Sequence, residues 1–332
     1  MTHLQKIRYT AWIRHFINFR RLLKSLKYPL IFPFYHTISD EPLPHITSLY
    51  EVKNTSQFVS DLDFLLQHFE PVSIDQVVNH ELKPDKPYVM LSFDDGLKEC
   101  YSVIAPILKS KGVPAAFFIN PAFIDDAEWF FRYEVSWLIH ELKTLPPADS
   151  SSCSVIKMHE QESLRLQNIL INTTWETRDN IDKVLKKLNL SREYMRRQTR
   201  IYMTKKELIS LHQDGFHIGA HSMHHPLFSD ISAEEQIKEV GDSLNVLNKM
   251  VNPPYNSFAF PFTDDGVGEE QLIRIYNETD LNISFGTSGI GTDKTLPHYQ
   301  RIPMEHHKVF NAGKIIKSEL LAYKMKKLMN KA

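Results

Sequence analysis

The sequence predicts an α/β fold, a mostly parallel sheet with helices between its strands, rolled into a distorted (β/α) barrel. Two observations lead there. Short apolar runs bounded by polar residues, YVMLSF (88–93) foremost, have the character of parallel strands buried on both faces. Segments with helical periodicity lie between these runs, and repeated βα units imply a parallel sheet. The sites of such barrels lie at the C-terminal ends of their strands.

The bulk numbers are those of a globular chain. Its 332 residues are 42% hydrophobic and 24% charged, enough for one large domain or two smaller ones with a sizeable core. A net charge of -1 gives no overall basicity of the kind that attracts nucleic acid. Cys100 and Cys153 form no CxxC, so reduced thiols in a cytosolic compartment fit better than a disulfide framework. No apolar run approaches the roughly 20 residues of a spanning helix.

The elements follow in order. Residues 1–29 form a basic amphipathic segment. Lys6, Arg8, Arg14, Arg20, Arg21, Lys24 and Lys27 occur there with no acid, among Trp12, Ile13, Phe16, Ile17, Phe19, Leu23 and Leu26. Charges interrupt any apolar core and no small-residue cleavage site follows, which excludes a signal peptide. Two readings stand: adsorption of residues 1–28 to an anionic membrane surface, or a helix packed on the domain with its basic face in water. LIFPFY (30–35) opens the barrel. Thr55 then caps a helix with the stripe Phe58, Leu62, Leu65, Leu66 and Phe69. After YVMLSF come a helix from about Lys98 to Ser110, Gly112 and the strand AAFFIN. Residues 124–203 break the rhythm with helices and a polar loop, PPADSSSCS, and are expected as a helical insertion over one end of the barrel. Thr204 with Glu207, and Ser232 with Glu235, are capping boxes that start two later helices, and Gly215 ends the first. HIGAHS, SFAFPF, ISFGT and QRIPM supply the remaining strands. The barrel is thus expected over 30–123 and 204–310, with a basic helix over 311–332.

Two stretches carry chemistry. In LSFDDG a buried strand ends at Phe93, and Asp94 and Asp95 stand at the rim with Gly96 allowing a tight turn. Adjacent carboxylates repel unless a cation is near. The second stretch, AHSMHHP, has His221 and His225 four residues apart, so one helical turn puts both rings on one side. Pro226 disfavours helix at His225, so that turn is short. His221 with His224 fits the spacing too; spacing narrows the pair without settling it.

Ser-Phe-Asp-Asp-Gly followed by His-Ser-Met-His-His-Pro resembles the polysaccharide deacetylase family (NodB homology, carbohydrate esterase family 4). FAFPFTD (258–264) resembles its third motif, and PAAFFIN and Tyr35–His36 look familial. The resemblance covers roughly 30–120 and 200–305. It implies the NodB-like barrel and an enzyme removing N-acetyl, or O-acetyl, groups from a sugar of a surface polysaccharide or its lipid-linked precursor. It implies one divalent cation held by Asp95, His221 and His225, zinc first, with cobalt, nickel, manganese or iron as alternatives; His224 becomes a spacer. Such an ion leaves positions for water and substrate and polarises the amide carbonyl. Asp94 is implied as general base and the backbone N–H of Phe262 as oxyanion donor. Where many members carry an arginine, this chain has Phe258, and Arg301 is the expected substitute partner of the base.

The leaving amine needs an acid, for which His298, His306 and His307 are candidates. His36 is expected to line the site, and His217 to be structural. In EWFFRYEVSW (128–137), Trp129, Phe130, Tyr133 and Trp137 recur at helical spacing, either as core or, Trp129 above all, as a sugar-stacking lid. The basic N-terminus places the expected work at the cytoplasmic face of the membrane. A deformylase of a lipid-linked aminosugar and a catalytically silent glycan-binding barrel are the rival readings.

Overall fold

The computed structural model describes residues 18–27, 29–144, 159–293, 295–305 and 311–329. His306, His307, Cys153, the PPADSSSCS loop and the basic segment before Asn18 lie outside the described residues.

Twelve strands form two sheets. They are β1 (Leu30–Ile31), β2 (Pro33–Tyr35), β3 (Glu70–Pro71), β4 (Tyr88–Val89), β5 (Leu91–Phe93), β6 (Ala115–Ile119), β7 (His217–Ala220), β8 (Ser257–Ala259), β9 (Ile283–Gly286), β10 (Gly291–Thr292), β11 (His298–Gln300) and β12 (Ile302–Pro303). Nine make one curled sheet in the order β10-β11-β9-β8-β7-β6-β5-β2-β12, parallel throughout except for β10 against β11. The other three pair in parallel as β1-β4-β3. The curl is joined by one short stretch of chain. β11 pairs with β9 on one side of the sheet, and two residues later β12 pairs with β2 on the other. Arg301 is the single residue between them. Its N–H bonds to Gly286 O at 3.1 Å, and the next N–H, of Ile302, bonds to Phe32 O at 2.8 Å.

Two expected strands are broken. LIFPFY divides at Phe32 and YVMLSF at Met90, so each run contributes its first half to the small sheet and its second half to the large one. An unbroken apolar run signals burial on both faces but carries no mark of a change of partner. Within β6 the alternation is plain: Ala115, Phe117 and Ile119 join the layer beneath the helices, while Ala116 and Phe118 join the inner cluster with Phe32, Met90, Ala259 and Phe285. Gly219 of β7 belongs to that crowded interior, since a Cβ there would lie 2.3 Å from Ser257 Oγ and 2.6 Å from the Phe118 ring.

The helices are α1 (Phe19–Ser25), α2 (Thr55–His68), α3 (Ile74–Val78), α4 (Ala105–Lys111), α5 (Phe131–Thr144), α6 (Glu160–Ile171), α7 (Asn180–Leu188), α8 (Arg192–Gln198), α9 (Lys205–Gln213), α10 (Ala233–Met250), α11 (Glu269–Thr279) and α12 (Ala312–Met329). Both expected capping boxes start their helices, α9 and α10. The cap of α2 is Asn54, not Thr55. Asn54 and Gln57 bond reciprocally, and Thr55 instead bonds through its N–H and hydroxyl to Asp40. Asn is at least as good a cap as Thr, so the neighbour with the longer acceptor took the position. In α1 the apolar side packs on the domain: Leu22, Leu23 and Leu26 are buried, and the Phe19 ring meets His68 at 4.8 Å. Each such burial contributes about 1.5–3 kcal/mol. Arg20, Arg21 and Lys24 remain outside that contact. No helix among the described residues is long and apolar enough to cross a membrane.

Between β6 and β7 the described chain is helical, α5 to α9. Helices α5 to α8 share their own core, including Trp137, Leu138, Leu170, Ile181 and Met195. The start of α5 reaches the rim of the large sheet and becomes part of the site.

Candidate active site

Six strand ends converge. Asp94 and Asp95 follow β5, Asn120 follows β6, His221 follows β7, Phe260 to Phe262 follow β8, His36 follows β2 and Glu305 follows β12. All are C-terminal ends of parallel strands. The loops leave regular geometry there: Asp95, Ser222, His225 and Phe262 have positive φ values of 69°, 63°, 59° and 58°. Non-glycine residues in this region are uncommon and cost about 1–3 kcal/mol each, a strain that persists where the surroundings impose it.

Asp95, His221 and His225 come together as a buried group whose ligand atoms all lie within 4.8 Å of one another. Asp95 Oδ1 is 3.4 Å from His221 Nε2 and 3.3 Å from His225 Nε2. That oxygen is buried with no hydrogen-bond partner. Its other oxygen accepts from the Tyr133 hydroxyl. The His221 ring is oriented by its far nitrogen, Nδ1–H, which donates to Ala259 O at 2.7 Å. A carbonyl only accepts, so Nδ1 carries a proton, and Nε2 is the atom turned towards Asp95. Burial alone raises the Asp95 carboxyl, but the imidazoles of His225, His221 and His36 hold it well below its usual range. Burial keeps His225 below its ordinary value. A carboxylate and two imidazoles meeting around one point, with an orphaned oxygen among them, fit a divalent cation.

The pair is not held by a helical turn. Residues 221–226 form an irregular loop, and the rings approach edge-on with centroids 4.8 Å apart. Several groups hold this loop. Asn120 Nδ2 donates to His221 O and Ser222 O, and Ser222 Oγ accepts from His225 N–H at 3.0 Å. Glu239 of α10 accepts from the N–H groups of Met223 and His224 and pairs with the His224 ring at 2.8 Å. The His224 imidazole is thereby turned out of the group, which resolves the choice that spacing left open.

Asp94 faces a different partner. Arg301 donates from Nη1 and Nη2 to its two oxygens, both at 2.7 Å, and Nη1 also reaches Ser92 Oγ at 3.1 Å. The guanidinium lies over the Phe34 ring at 4.3 Å. Arg301 is fully buried, so its charge must be met, and bidentate pairing does this well. Burial alone raises Asp94, yet Arg301, His221 and His36 hold it below its usual value. The carboxylate is therefore ionised and aligned.

His36 binds Glu305. Glu305 Oε1 accepts from the N–H groups of His36 and Thr37 at 2.8 and 2.9 Å, and Oε2 bonds the His36 Nδ1. Burial lowers the imidazole, but Glu305 outweighs it and raises His36 to about 9. The ring packs beside Tyr50 at 5.3 Å and senses both aspartates. Glu305 was not expected from the sequence, and Tyr133 was expected as core or as part of a stacking lid, not as a partner of Asp95. A glutamate next to two histidines in a strand-end segment was the one available hint of the first.

The remaining expectations divide. Phe262 stands beside the group, its ring 4.7 Å from His225, and among the described residues its N–H has no acceptor. Phe130 and Tyr133 are insertion aromatics that touch the group, Phe130 with its ring 4.4 Å from His225 and Tyr133 through its bond to Asp95. Trp129 is buried, donates its indole N–H to Asp126 and lines a cavity beside the histidine loop. His298 has both nitrogens engaged, with Ser284 Oγ at 2.7 Å and Asp264 at 2.9 Å, and is buried. That leaves no free N–H for a leaving amine. His217 bonds Ser257 at 2.7 Å inside the sheet, a structural position.

A curled parallel sheet with buried carboxylates and imidazoles at the strand ends is the architecture of a barrel enzyme of the hydrolytic kind. The sequence model described as polysaccharide deacetylase matches residues 81–149 and 171–283, more than half of the chain. The chain belongs to the polysaccharide deacetylase family, and it is an enzyme of that class. Solved structures share its fold. The Streptococcus pyogenes deacetylase PplD in complex with acetate is 15% identical, with 87% of this chain and 97% of that one covered at a TM-score of 0.57. IcaB from Ammonifex degensii is 13% identical, covering 88% and 96% at 0.54. A de-N-acetylase from Aggregatibacter actinomycetemcomitans is 14% identical, covering 86% and 99% at 0.53. No curated protein matches the chain.

Proposed function

We propose that this deacetylase is metal-dependent and hydrolyses the N-acetyl group of an aminosugar in a glycan, with Asp94 as base and His36 as acid. The observation that carries the reading is the orphaned Asp95 oxygen between the Nε2 atoms of His221 and His225. A divalent cation held by Asp95, His221 and His225 supplies Lewis acidity to the acyl oxygen and to the attacking water.

The chain's own groups do the rest. Asp94, kept anionic by Arg301, accepts the proton of the attacking water. Water oxygen bonds to the acyl carbon, and the free N–H of Phe262 donates to the oxygen on which negative charge develops. The carbon–nitrogen bond then breaks. His36, held as the imidazolium by Glu305, gives a proton to the leaving nitrogen. The products are acetate and the free amine. Phe130 and Phe262 exclude water from the His225 side of the group.

Acetate release from N-acetylated aminosugar oligomers tests this. Release is expected only with a divalent cation. Asp94→Asn should keep the metal and lose about 10²–10⁴ of the rate, the usual contribution of a general base. Full turnover in that variant sinks the assignment. A deformylase shares this geometry, and formate release without acetate release identifies it.

A further inference from the structure

A cavity of about 590 Å³ opens between the starts of α5 and α7, the segment before α7, α8 and the histidine loop. Its volume is ordinary for a small-molecule site. It adjoins the catalytic group. Phe130 and Tyr133 turn towards His225 and Asp95, while the neighbouring Phe131 and Glu134 line this cavity. His224, between the two ligand histidines in sequence, stands on its rim.

The lining is aromatic and charged in balance. Trp175 is half-buried, with the Arg178 guanidinium over its ring at 4.3 Å and Phe131 edge-on at 6.1 Å. Arg192 bridges Glu134 and Asp182. The other ionic groups of the lining alternate in sign: Arg178 donates to Trp175 O, Arg196 acts through space on Glu134, and Glu128 acts on the His224 imidazole. Arg196 Nε is buried without any hydrogen-bond partner. A buried donor left so costs about 1–3 kcal/mol, which a ligand that accepts from it recovers. Cations and carboxylates standing side by side repel a polyanion as much as a polycation. They suit a neutral group whose hydroxyls both donate and accept, next to an indole that covers an apolar ring face.

We infer that this cavity is a subsite for a neutral sugar unit of the same glycan chain, next to the unit that is deacetylated. The inference rests on the deacetylase reading for its substrate. It gives the helical region between β6 and β7 a role in choosing polymers over monosaccharides.

The test compares N-acetylglucosamine with its β-1,4- and β-1,6-linked hexamers. Wild type should prefer a hexamer in kcat/KM. Trp175→Ala and Arg196→Ala should each lower the hexamer-to-monomer ratio about tenfold, mainly through KM, a loss typical of truncating a Trp or Arg anchor. Trp175→Phe should restore much of it, which a merely structural role would not predict. Calorimetric titration of the Asp94→Asn chain with the hexamers supplies an independent readout, in which added Trp175→Ala should weaken binding by a similar factor. Hexamer binding that depends on Trp175, without acetate release from any substrate, sinks the deacetylase reading and supports the subsite. An unchanged ratio, no preference for chain length, or hexamer binding indifferent to Trp175 and Arg196 overturns the subsite.

Discussion

Two buried ion pairs in this molecule look alike and do different work. Lys53 and Asp61 pair beneath α2, both buried. Asp61 Oδ2 also accepts from the Tyr35 hydroxyl at 3.2 Å, and its Oδ1 accepts from the Ala312 N–H at 2.6 Å, anchoring the start of α12. Every oxygen of that carboxylate is used. Arg301 and Asp94 pair at the rim with equal burial, yet the group beside them is left open: Asp95 Oδ1 has no hydrogen-bond partner. A closed network fixes structure, because nothing remains to bind. An open one, held rigid by Tyr133, Ala259 and Asn120, is kept at a cost in stability and so marks a site.

Three experiments break or sharpen this contrast. The largest effect belongs to the open network. His221→Ala and His225→Ala should each abolish stoichiometric metal content in the folded protein, and turnover with it. His224→Ala, whose ring is tied to Glu239, should retain nearly all of both. Metal analysis of the three purified variants decides; metal lost from His224→Ala and kept in His225→Ala reverses the assignment.

The closed network should respond in stability instead. Asp61→Ala removes the carboxylate facing a buried lysine, and breaking such a pair costs about 3–5 kcal/mol. Urea unfolding should show that loss, while turnover per folded molecule stays near wild type. A variant as stable as wild type but poor in turnover would place Asp61 in the catalytic network after all.

The smallest effect is a displaced pH limb. Glu305 raises His36 to about 9. An acid must be protonated to act, so wild-type activity should fall as pH rises through about 9. Glu305→Gln keeps an acceptor for the two backbone N–H groups but removes the charge. The alkaline limb should then move down towards the ordinary histidine value of about 6.5, lowering activity at pH 8 on the order of tenfold. A limb that does not move shows that another group supplies the proton.

Much of the site was legible because its chemistry is carried by residues adjacent in sequence. Phe93–Asp94–Asp95–Gly96 and His221–Ser222–Met223–His224–His225–Pro226 each present their functional atoms from one strand end, so local pattern and family resemblance suffice. Alternating strands and helices, with Thr204–Glu207 and Ser232–Glu235 as caps, likewise announced a parallel α/β fold, since a helix must recross the sheet between parallel strands. Capping and apolar periodicity act over a few residues, within reach of a sequence reading.

Tertiary structure alone decided what depends on distant partners. Arg301 was suggested by the family resemblance, but the bidentate meeting with Asp94 comes about because the chain at β11–β12 joins the two sides of the curled sheet. His36 is raised only because Glu305, far along the chain, follows the strand beside its own. Tyr133 reaches Asp95 from a helix whose periodicity left core and lid both open, and His298, suitable by residue type, is engaged by Ser284 and Asp264. Phe32 and Met90 break two apolar runs because the strands change sheet there, and an apolar run looks the same on either side. Charge and hydrogen bonding operate through space, so the groups that tune each functional residue are set by which strands lie side by side.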